Sequence, residues 1–176
     1  MEWLTDEERQ GLFDTFERDA FHLEMRDVYR VEDEVEPLRK WRQGVWTEEE
    51  AAQWWEPWLV KMRKATGEGR TVRRLRIVTE PITDYTRFLW EGTRFNVSAG
   101  EDVRWLPRHL VPEGTVLPPE DVWLFDDSRL IFNHFDERAL SMRMERVRDP
   151  EMIALVVQVR DALWPLAIPH EEYRPV

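Results

Sequence analysis

Apolar positions along the chain recur with two different periods. From Ala20 to Val28 they alternate: Phe21, Leu23 and Met25 fall on one side, His22, Glu24 and Arg26 on the other. A period of two predicts a half-buried strand. Ahead of it, Leu12, Phe13 and Phe16 share a helical face, and Thr5 with Glu8 has the spacing of a capping box, so a helix is expected over about 6–18. Glu32–Gln43 reads as a helix that stops near Gly44. Thr47 to Glu50 opens another by the same capping logic; it carries Trp54, Trp55, Trp58, Leu59 and Met62. Pro57 is expected to kink or split it, and Gly67-Glu68-Gly69 ends it.

Beyond Gly69 strands dominate. Val72 to Val78 is one, and Thr83 or Asp84 caps a helix reaching about Val97. Val103 to Leu106 is a short strand, and residues 107–121, with four prolines, form a loop. Val122 to Phe135 reads as two paired strands joined by a turn at Asp126-Asp127-Ser128-Arg129. Leu140 to Val147 is a further strand, Asp149-Pro150 starts a final helix, and the tail after Pro165 is irregular. The helix between the strands at 72–78 and 103–106 implies a parallel crossover; the short later links imply antiparallel neighbours. The expected class is α+β, a mixed sheet with packed helices. Residues 1–69 are read as a mostly helical region with one strand, and 70–176 as the sheet domain.

Composition narrows the chemistry. The chain has 176 residues, no cysteine and a net charge of −11. Disulfides and thiolate metal sites are therefore excluded. The acidic start lacks the basic and apolar regions of a signal peptide, and no apolar run approaches the length of a membrane span. A cytoplasmic protein without membrane contact is expected. The acidic balance argues against direct nucleic-acid binding and fits a basic protein partner, or solubility alone.

Ten tryptophans invite a stacking site. Trp54, Trp55 and Trp58 at helical spacing are read as core, while Trp3, Trp41 and Trp46 are candidates for a surface groove. None of the four histidines has metal-ligand spacing, and no Gly-rich phosphate loop or nucleophile elbow is present, so no metal or cofactor is expected. His134 with Asp126 or Asp136 is the candidate catalytic pair, against a structural ion pair. Arg70, Arg73, Arg74 and Arg76, with Arg87 and Arg104, suggest an anion site, against an edge strand blunted by charge. The candidate ligand-binding residues are Arg74, Arg76, Tyr85, Arg87, Trp123 and Asp127.

Phe21-His-Leu-Glu-Met-Arg-Asp27, Glu80-Pro81 with Asp84-Tyr85, Ala99-Gly-Glu-Asp102, Trp123-Leu-Phe-Asp-Asp127 and Arg160-Asp-Ala-Leu-Trp164 carry a resemblance over nearly the full length. The chain resembles an actinobacterial family without an assigned activity, often encoded beside helix-turn-helix regulators. Residues 71–165 also look like one half of a phospholipase D-type sheet, which some sugar-sensing regulators share. In the active enzymes of that kind a strand ends in Asp after a His-x-Lys motif. Setting Asp127 at that Asp puts Glu120 and Val122 where His and Lys should stand. The resemblance thus implies a non-catalytic scaffold. The resulting expectation is a cytoplasmic regulatory or protein-interaction module whose partner is a helix-turn-helix regulator. Two alternatives stand beside it: a sensor of an anionic or sugar-like ligand, with its pocket between the sheet and the Pro-rich loop, and a hydrolase using His134.

Overall fold

A computed structural model describes residues 1–176. Eight strands form one mixed sheet: β1 (Glu2–Trp3), β2 (Asp19–Glu24), β3 (Thr71–Val78), β4 (Asp102–Pro107), β5 (Asp121–Phe125), β6 (Arg129–Asp136), β7 (Ser141–Val147) and β8 (Ile168–Pro169). Their order is β1-β7-β6-β5-β2-β3-β4-β8. β2, β3 and β4 run parallel, and every other pairing is antiparallel. The helices are α1 (Asp6–Gly11), α2 (Glu32–Arg42), α3 (Glu48–Gly67), α4 (Asp84–Ser98) and α5 (Pro150–Leu163).

Local chemistry sets the ends of these elements. The capping boxes predicted at Thr5 and Thr47 both form; the Thr47 hydroxyl accepts from Glu50 N, and Glu50 returns a bond to Thr47 N at 3.0 Å. α1 is shorter than expected: after Gly11 the chain tightens into a 3₁₀ turn over Leu12–Asp14, which tucks Leu12 and Phe13 into the core. α3 runs through Pro57 as one helix. The turn after β5 holds Asp126 and Asp127 at φ 53° and 57°, a left-handed pair that matches hairpin twist.

β2 lies between β5 and β3, so a strand that precedes residue 70 forms the middle of the sheet. β3 is interior as well, which corrects the reading of its arginines as the guard of an exposed edge. One face of the sheet is apolar: Phe21, Leu23, Leu75, Ile77, Val122, Leu124 and Leu130 pack under Val156, Val159 and Leu163 of α5. The Pro-rich loop leans on this same side through Val111 and Leu117. The other face is roofed by the remaining helices. One end of it is filled by Phe13, Phe16, Leu59 and Met62 and the other by Tyr85, Phe88 and Trp105. Between these two apolar ends the middle of the face is polar.

Candidate functional site

Period-two alternation places His22 and Glu24 of β2, Arg74 and Arg76 of β3, Asp121 and Trp123 of β5 and Asn133 of β6 on one face. Adjacent registers line them up across four neighbouring strands; His22 sits opposite Arg74 and Trp123, and Asp121 opposite Asn133. All are buried except Glu24, which is half-buried. Buried charge is costly unless it is paired and hydrogen-bonded. Most of this stripe meets that condition. Arg74 Nη1 donates to Glu24 at 2.8 Å and its Nε to Glu101 at 3.1 Å. Arg76 donates to Glu24 and Thr93. Glu101 also accepts from Asn96 Nδ2 at 2.8 Å and from the Trp58 indole.

The electrostatics follow from these partners. Burial opposes ionisation of Glu24, but Arg76 and Arg74 outweigh it and hold the carboxyl well below its ordinary 4.5. Burial pulls the His22 imidazole below its ordinary value, with Glu24 pulling the other way. That ring stacks on Trp123 at 4.1 Å, with Nδ1 donating to the Val122 carbonyl at 2.8 Å and Nε2 lying 3.2 Å from Glu24. Two other acids lack such cations. Asp121 accepts from the Tyr29 hydroxyl and from Met25 N at 2.9 Å; Glu34 accepts from the Tyr85 hydroxyl. Burial pushes both carboxyls up to about 7.

These groups line a cleft of about 620 Å³ between the sheet and α2, α3 and α4. Its walls are aromatic: Trp54, Trp55 and Trp58 of α3, Tyr29, Tyr85, Trp123 and Phe135, with Met142 and Met144 toward β7. The volume is that of an organic-ligand pocket. Asn133 is the exception to the satisfied stripe. It is 3% exposed, yet its buried Oδ1 has no hydrogen-bond partner.

Of the residues singled out from sequence, Arg74, Arg76, Tyr85 and Trp123 converge on this cleft. Arg87 is exposed on α4. Asp127 lies at the β5–β6 turn, where it pairs with Arg160. Trp54, Trp55 and Trp58 are half-buried cleft wall rather than full core. The His134 pairings do not form. Its ring meets Glu145 at 2.8 Å and Glu120 at 3.6 Å. Asp126 instead accepts the N–H groups of Glu17, Arg18 and Asp19, and Asp136 those of Arg138 and Ala139. The Pro-rich loop, beneath which a pocket was expected, packs on the α5 side and so lies across the sheet from this cleft. Sequence reasoning passed over Glu24, Tyr29, Glu34, Asp121 and Asn133. For Glu24, Asp121 and Asn133 the available signal was polar residues at the inward positions of strands that are apolar on their other face; Tyr29, in a loop, and Glu34, on α2, carry no such signal. No cluster of three His, Asp or Glu side chains gathers as a metal site.

The chain belongs to a family described as a domain of unknown function, DUF6879, whose match spans residues 7–175. No curated protein matches it significantly. A solved structure of TrmBL2, an archaeal chromatin protein described as showing a novel mode of DNA binding, is similar at a TM-score of 0.48 and 10% identity. The match covers 90% of this chain and 48% of that one, so the chain spans about half the length of that protein. The expectation of a protein partner with nucleic acid excluded does not hold, because it rested on net charge alone. A net charge of −11 sums the whole surface and does not describe any one patch of it, so it cannot exclude a class of partner.

Proposed function

We propose that this domain binds a small organic molecule in the cleft between the sheet and the α2–α3–α4 roof. The observation that carries the reading is the Asn133 carboxamide: a buried acceptor without a donor, on the wall of a cavity large enough for a ligand. Such groups are rare in folded proteins because each forfeits the hydrogen bonds it made to water. A ligand N–H or O–H would restore the bond. The aromatic walls supply flat apolar contact, and the Arg74–Glu24–Arg76 lattice fixes the floor before anything binds. His22 is the one imidazole in the cleft, and both its nitrogens face protein acceptors. The arrangement thus favours recognition over proton transfer, and a sensing role over a hydrolytic one.

The test uses Asn133→Leu, which keeps the side-chain volume and deletes the unpaired acceptor. Stability should rise by about 1 kcal/mol, since a buried unsatisfied group is removed, while retention of a small molecule from cell extract, read by native mass spectrometry, is lost. A wild-type protein that retains nothing, or a variant that retains the same molecule as well, would overturn the reading.

A further inference from the structure

We propose that the ligand of this cleft carries a protonated nitrogen, an ammonium or amidinium group, seated against Asp121, Glu34 and the Asn133 carboxamide oxygen. This rests on the ligand-binding reading above and names the ligand's chemistry. The argument is a count of donors and acceptors. The cleft's buried cations are spent: Arg74 is paired to Glu24 and Glu101, and Arg76 to Glu24. An anionic ligand would find no free positive charge there and would face their carboxylate partners instead. The expectation of an anion site at Arg74 and Arg76 therefore gives way.

The acceptors are in surplus. Asp121 and Glu34 receive only phenol hydroxyls and one backbone N–H, and Asn133 Oδ1 receives nothing. The two Tyr–carboxyl pairs are neighbours, with the Tyr29 and Tyr85 rings 6.0 Å apart. One compact cationic head thus has aromatic faces and carboxylates within a single pocket. Glu32 and Asp33 at the start of α2 add acidic charge at the rim. The raised proton affinity of Asp121 and Glu34 agrees with this: burial outweighs the pull of Arg26 on one and of Arg76 on the other, and neither acid has a cation paired to it.

Three probes with one skeleton separate the possibilities: phenethylamine, phenethyl alcohol and hydrocinnamate, titrated calorimetrically into the full chain. Phenethylamine should bind about tenfold or more tighter than the alcohol, and hydrocinnamate weakest. Its affinity should rise with pH through about 7, with protons released on binding, as Asp121 and Glu34 ionise. Asp121→Asn and Glu34→Gln should each level the amine with the alcohol; circular dichroism confirms that the variants fold. An amine no tighter than the alcohol, a preference for hydrocinnamate, or silence from all three overturns the proposal. If the extract molecule that depends on Asn133 proves uncharged, the charge assignment falls and the cleft reading stands. If no extract molecule is retained either, both fall.

Discussion

Glu24 is the residue on which the polar face turns. It receives Arg74 and Arg76 of β3 and faces His22, and each of those groups is buried. Removing one partner of a buried pair leaves the other uncompensated, a loss of about 3–5 kcal/mol in comparable sites. Glu24→Gln should therefore destabilise the fold by that order, seen as a lower urea midpoint, whereas Glu36→Gln on the exposed Arg39 pair should leave the midpoint nearly unchanged. Half of this cluster was legible in the sequence. The basic run Arg70, Arg73, Arg74 and Arg76 stood out, and Arg74 and Arg76 share a strand face opposite Leu75 and Ile77. The meaning of that run was not legible. Glu24 lies 50 residues from Arg74, and periodicity marks a face without saying which strand will lie beside it. Without a neighbour to neutralise it, a charged strand reads as an edge.

At the scale of elements, legibility tracked length and caps. α2 through α5 and β3 through β7 follow from period, capping residues and turn chemistry, because each of those signals is local. β1 and β8, two residues each, are too short to show any period and exist only because β7 and β4 offer free edges. The 3₁₀ turn after α1 escaped for a related reason: its apolar residues suit a helix, and only packing under α3 selects the tighter winding. The Asp126 turn was recognised as a turn, but its second task was hidden. Its carboxylate gathers three successive N–H groups leading into β2, and so ties the hairpin to the sheet's central strand. These contacts, with nearby Arg129, keep the acid below its ordinary 3.8 against the opposing pull of burial. Asp126→Ala should cost about 1–3 kcal/mol through those orphaned donors. Because the turn is remote from Asn133 and Asp121 along the hairpin, binding in the cleft should persist at temperatures below the lowered melting point.

Over the whole molecule, buried titrating groups act against one another. Asp121 and Glu34 hold protons in the folded state up to about pH 7, whereas the unfolded chain releases them near 3.8 and 4.5. In that window the folded state binds more protons, so these two acids make stability fall as pH rises, and the fall ends above about 7. His170, held down to about 4 by burial and by Arg76 and Arg174, behaves oppositely. Between about 4 and its ordinary 6.5 the unfolded chain binds the extra proton, so stability rises with pH; His22 adds in the same direction. Glu24 contributes stability that is complete above its ordinary 4.5 and fails only as pH drops through its much lower folded value. Acids and imidazoles thus cancel across the mildly acidic range, and the free protein should show a broad plateau there rather than a peak. Asp121→Asn removes one of the two falling contributions and leaves both imidazoles in place. The difference in melting temperature, variant minus wild type, should therefore climb from about pH 4 to about pH 7 and then level. Self-repulsion of the acidic surface changes both proteins nearly alike, so it drops out of that difference. A difference that stays flat with pH would mean that Asp121 is ionised in the fold throughout, its charge already met by a cation such as Arg26.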